Sequence, residues 1–120
     1  MKLLSSLQHK ACADGSYMKE YQISEPLTEE FFRYLQQFGT VEQVSKLDDG
    51  YYTFSRKNWF SIKGLVGDNR VEVRFNPATM DVTTDFLRML FAKFGPDPDI
   101  AYLRKCMAIR DAEIERILKH

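Results

Sequence analysis

Metal binding is the first chemistry to test. His9 and Cys12, spaced H-x-x-C, are two ligands of the kind zinc takes. A structural zinc site needs four ligands, and a catalytic one needs three with a position left open. Only Cys106 and His120 remain as soft candidates, and His120 is the last residue. That shortage predicts no metal site. Nucleophilic catalysis meets a similar obstacle. A reactive cysteine needs a depressed pKa and a paired base. Cys106 is flanked by Lys105 on a helical segment, where adjacent side chains do not face each other.

The paired acids have simpler uses. Asp48-Asp49 sits in a turn, while Glu29-Glu30 and Asp97/Asp99 open helices. Gly64-Leu65-Val66-Gly67 lacks the G-x-x-x-x-G-K-[ST] spacing that cradles phosphate, and no helix follows it. No cofactor is expected, and no catalytic residue is assigned.

One segment keeps an unusual chemistry. Ser55 to Lys63, SRKNWFSIK, interleaves basic and aromatic residues on strand-like sequence. Such a surface can hold an anion, or stack bases while contacting phosphates. Ordinary strand alternation, apolar inward and charged outward, gives the same pattern. Taking the Asp68-Asn69 turn as centre, Val66 falls opposite Val71, Gly64 opposite Val73, and Ile62 opposite Phe75. The other face then carries Lys63 opposite Arg74, a repulsion that an anion would relieve. The candidate ligand- or anion-binding set is Arg56, Trp59, Lys63, Arg74 and Asn76.

These residues must be positioned by an α+β fold. Leu3, Leu4, Leu7 and Ala11 fall at helical spacing, so residues 1–15 are read as weakly ordered or as a short helix ended by Gly15. Tyr17–Ile23 alternates as a strand. Thr28 caps a helix from about Glu29 to Phe38, with Leu27, Phe31, Leu35 and Phe38 as its apolar stripe and Gly39 closing it in the left-handed conformation. Strands then follow at Val41–Leu47, Tyr51–Phe54, Trp59–Val66 and Val71–Asn76. Asp48-Asp49-Gly50 is a strong hairpin signal, and Ser55–Asn58 marks a second turn or a bulge. A second helix, capped by Asp81 or Thr83, carries Phe86, Leu87, Leu90, Phe91 and Phe94 until Gly95-Pro96 stops it. A long final helix, 98–118, starts from Asp97-Pro98-Asp99. The predicted order is (α)-β-α-β-β-β-β-α-α. It gives a single two-layer domain over 1–120, with an antiparallel sheet of about five strands and helices on one face. Strand order and the choice between one bulged strand and two over 51–66 stay open.

The final helix carries Ile100, Leu103, Met107, Ile114 and Ile117 at heptad a and d spacing, broken by Arg110. Under three heptads is short for a coiled coil. Packing on the chain's own sheet is the leading expectation, and a homodimer through this seam is the alternative.

Bulk properties narrow the class. The chain has 120 residues, ample for one domain without disulfide or metal support. Seventeen basic and seventeen acidic residues cancel, which argues against a protein that wraps nucleic acid. Two cysteines are too few for a disulfide framework, and no apolar run approaches a membrane span. The expectation is therefore a small cytoplasmic protein with no membrane segment, most simply a non-enzymatic binding or interaction module. Its expected partners are a second copy, an anionic ligand or an acidic protein surface. Two alternatives stand: a small-ligand-binding protein or enzyme with a pocket between sheet and helices, and a weak nucleic-acid binder using the Arg56–Arg74 sheet face.

Overall fold

The computed structural model describes residues 1–44 and 50–119. It is an α+β fold with one antiparallel sheet of six strands: β1 (Leu3–Ala11), β2 (Tyr17–Ile23), β3 (Thr40–Gln43), β4 (Tyr51–Arg56), β5 (Phe60–Leu65) and β6 (Arg70–Phe75). The helices are α1 (Glu29–Leu35), α2 (Met80–Ala92) and α3 (Ile100–Leu118), with a short 3-10 turn at Pro77–Thr79 before α2. The sheet order is β1-β2-β6-β5-β4-β3. A meander of four strands thus returns β6 to the side of β2, a pairing between strands far apart in the chain.

The extra strand is β1, where weakly ordered chain or a short helix was expected. Its leucines have no buried face to serve, because the strand is exposed along nearly its whole length. Ser5 and Ser6 are also modest helix formers. The outer edge of β2 needs partners for its backbone groups, and β1 supplies them from Leu3↔Ile23 to Ala11↔Tyr17.

The core lies on one sheet face. Phe54, Phe60, Ile62, Val71, Val73, Phe75, Tyr21 and Ile23 are all buried. Phe31, Leu35 and Phe38 cover them from the α1 side, and Phe86, Leu87 and Leu90 from α2. Ring contacts tie the layers: Phe32 stacks on Tyr52 at 4.9 Å, and Trp59 meets Phe86 at 4.8 Å. Phe94, expected in the stripe of α2, lies beyond its end and packs edge-on to Phe31 at 5.1 Å.

The caps follow the predicted chemistry at partly different residues. Thr28 accepts from the Phe31 amide at 3.1 Å, as expected. Asn76 accepts from the Ala78 amide at 2.9 Å, so the chain turns helical before Asp81 or Thr83. Asp99, not Asp97, caps α3 by accepting from the Tyr102 amide at 3.0 Å. Gly39 is not left-handed; Gly15 (φ 88°) and Gly67 (φ 94°) are the described glycines with positive φ. Gly39 is needed for close approach, since a Cβ there would lie 2.5 Å from the Ser55 carbonyl oxygen.

The β5–β6 register differs by two residues from the expected one. Ile62 pairs with Val73 and Phe60 with Phe75. The connecting loop leaves the ladder early because its backbone bonds elsewhere: Val66 donates to the Gly50 carbonyl, and Gly67 to that of Leu27, each at 2.8 Å. A shift of two preserves the faces, so the buried set is unchanged while every cross-strand pair is reassigned. The Asp48-Asp49 hairpin and the expected end of β3 at Leu47 lie outside the described residues. No helix of the described residues is long and apolar enough to cross a membrane.

Candidate functional site

The β4–β5 turn is built by Arg56, Lys57, Asn58 and Trp59, closed by the Trp59 amide donating to the Arg56 carbonyl at 3.1 Å. Asn58 sits at φ 65°, a left-handed position that asparagine tolerates better than most residues. Two clefts meet at this turn, and Arg56, Lys57, Asn58 and Leu118 line both. One, of about 620 Å³, runs toward the C-terminal part of α3 over Ile114 and Leu118. The other, of about 540 Å³, runs along the end of the sheet past Ser61, Arg74 and Asn76 to Asp14 and Ser16.

Four of the five predicted site residues, Arg56, Trp59, Arg74 and Asn76, line the second cleft; Lys63 does not. Their roles differ from those expected. Arg56 lies on the helix side of β4. It forms an ion pair with Asp111 of α3 and donates to the Phe38 carbonyl at 3.3 Å. Trp59 was expected on the solvent face, but only 5% of it is exposed. Its indole N–H donates to the Thr83 hydroxyl at 2.8 Å, so the turn rolls the ring over the sheet end onto α2. Asn76 uses its side-chain oxygen as a cap, as described above.

The predicted Lys63–Arg74 repulsion is absent. Lys63 pairs across the ladder with Glu72, and Arg74 with Ser61. The open sheet face is mixed in charge: Arg70 also pairs with Glu20 of β2 at 3.4 Å, while Glu20 stands directly across from Glu72. Burial and the nearby Glu72 raise the pKa of the Tyr51 phenol at its margin.

Sequence reasoning missed the contribution of the β1–β2 turn. Asp14 accepts from the Ser16 amide at 3.0 Å and from its hydroxyl at 2.6 Å. Those bonds, with a smaller effect from Arg74, hold the Asp14 carboxyl below its usual range. The D-G-S turn was legible in the sequence; its place beside Arg74 was not, because it depends on β2 pairing with β6 through Tyr17↔Phe75.

The proposed α3 seam faces inward. Leu103, Met107 and Ile114 are buried in the chain's own core, and Ile100 and Ile117 are half-buried. Large apolar side chains exposed on α3 include Tyr102, Ile109 and Leu118. Of the soft ligands weighed above, His9 stacks on Tyr17 at 5.9 Å, and Cys12 and Cys106 are unpaired thiols. His120 lies outside the described residues. Among the described residues no three of His, Cys, Asp and Glu gather as a metal site would require. Comparison with protein-family models, curated proteins and solved structures finds no significant match to this chain.

Proposed function

We propose that the chain is a non-enzymatic binding module whose recognition surface is the pair of clefts meeting at the Arg56–Trp59 turn. The supporting observation is that convergence: an apolar floor of Ile114 and Leu118 beside polar groups from four separate elements. Concave, partly apolar sites with a few placed polar groups are where ligands bind. The lining supports binding rather than catalysis. Its hydroxyl–carboxylate pair, Ser16 and Asp14, lies within one turn, and hydrogen bonding makes that carboxylate a weak base. A cytoplasmic location accompanies this reading, supported by the two unpaired cysteines.

Titration with uncharged aliphatic and aromatic fragments, followed by amide-detected NMR, tests it. Saturable shifts are expected at the amides of Lys57, Asn58, Glu115 and Leu118. Shifts confined to another surface, or none, overturn the reading.

A homodimer is a second reading, now favoured at a different element. β1 is an edge strand with exposed Leu4 and Leu7 and unpaired outer backbone groups. Antiparallel pairing of two copies about Leu7 sets Leu4 against Lys10 and opposes no like charges. Light scattering should then give a dimer that Leu7→Lys splits; a monomeric native protein removes this reading. The nucleic-acid alternative loses its main support, because buried Trp59 offers no stacking platform and the open face is mixed in charge.

A further inference from the structure

Two cations that line the second cleft, Lys57 and Arg74, make no ion pair among the described residues, and of the two only Arg74 has a buried donor left without a partner. Arg74 projects from β6 onto the open face between its cross-strand neighbours Met18 and Ser61. Its Nε is buried and has no acceptor among the described residues. Two other cations of this face have acids nearby: Arg70 pairs with Glu20, and Lys63 stands across from Glu72. No described carboxylate comes within ion-pair distance of Arg74. Asp14 is close enough to feel its charge, but Oδ1 of that carboxylate is held by Ser16. A guanidinium whose buried Nε–H has no acceptor is costly, and native structures keep few such groups.

We propose that Arg74 anchors an oxyanion subsite, taking a carboxylate or phosphate group of the ligand on its guanidinium. The planar fork presents parallel donors to two oxygens of one anion. Ser61 and Asn76, both lining the cleft beside Arg74, supply further donors from a hydroxyl and a side-chain amide. Asp14 lines the same space and sets the charge preference. A singly charged carboxylate meets less repulsion from it than a doubly charged phosphate does. The subsite rests on the binding-module reading and gives it a ligand class: an apolar group over Ile114 and Leu118 joined to an oxyanion at Arg74.

The test is titration of the full chain with acetate and, separately, with inorganic phosphate, against chloride at matched ionic strength. The Arg74 guanidinium resonances and the Ser61 and Asn76 amides report binding. A saturable shift in the millimolar range is expected for either anion, and the anion that gives it identifies the ligand group. Arg74→Lys, which keeps the charge and loses the fork, should weaken binding roughly tenfold. Arg74→Gln should abolish it, and Asp14→Asn should strengthen phosphate binding more than acetate binding. Absence of a saturable shift with both anions overturns the subsite, as does an unchanged response in Arg74→Gln. So does equal loss of stability in Arg74→Gln, Asp14→Asn and their double variant, which would make Asp14 the partner of Arg74. The fragment titration reads Lys57 and Leu118 without any anion, so the subsite can fail while the wider cleft stands, and the reverse.

Discussion

Lys63 of β5 stands directly across the ladder from Glu72 of β6. The pair puts opposite charges where a Lys63–Arg74 repulsion was expected. Lys63→Glu should therefore lower stability by about 0.5–1 kcal/mol, since like charges directly opposed on a sheet repel. Glu72→Lys added to it should recover most of that loss. Urea midpoints of the two single variants and the double variant give the coupling. An additive result would show that the two side chains do not interact.

Trp59 is held by Thr83 as well as by its ring contacts. Thr83→Val keeps the volume and removes the acceptor, leaving a buried indole N–H unsatisfied. The expected cost is about 1–3 kcal/mol. Trp59 is the only tryptophan, so its emission reports the site directly. A native-like midpoint in Thr83→Val would mean that the indole finds water instead.

Gly39 and Gly95 make a matched pair for backbone proximity. A Cβ at Gly39 would sit 2.5 Å from the Ser55 carbonyl oxygen and 2.8 Å from the Phe54 ring. At Gly95 it would meet nothing within 4 Å. Gly39→Ala should cost about 1–3 kcal/mol through overpacking, whereas Gly95→Ala should stay within about 0.5 kcal/mol of the native protein. Chemical denaturation of both variants checks the contrast, and equal effects would overturn it.

Tyr34 makes stability fall in alkali. Its phenol donates to the Leu90 carbonyl at 2.6 Å, and burial raises its pKa well above the usual tyrosine range. The folded chain keeps this proton while the unfolded chain releases it above about pH 10. The unfolded state therefore binds fewer protons there, and stability drops as pH rises through that value. Below it the contribution is complete. Tyr34→Phe should be less stable at neutral pH, and its stability should decline less steeply between about pH 10 and 11. Parallel slopes for variant and native chain would show that Tyr34 does not carry this dependence.

Much of the local architecture was legible. Thr28, with Glu29 and Glu30 after it, announced α1, and the Phe86-to-Phe91 stripe announced α2, because caps and periodicity are local properties. Alternation from Phe60 to Leu65 and from Val71 to Phe75 identified the buried face even though the register was off by two, since a two-residue shift leaves parity intact. The N-terminal segment was read as weakly ordered or a short helix, not as a strand, because four apolar residues at helical spacing carry no information about a sheet edge waiting for a partner. The candidate site was legible in residue type only. Arg56, Arg74 and Asn76 could be picked out by chemistry, but Trp59 was assigned to the wrong face, and Lys63 was given the wrong neighbour.

The sequence by itself determined the α+β class, the core residues and the position of most turns, because each follows from the conformational preferences and hydrophobic spacing of a few adjacent residues. Only the tertiary structure decided that β6 returns to β2, that Asp14 and Ser16 arrive beside Arg74, and that Arg56 reaches Asp111 on α3. Those meetings join residues 48 or more positions apart. They depend on how strands stack and where loops bond, which no short stretch of sequence encodes.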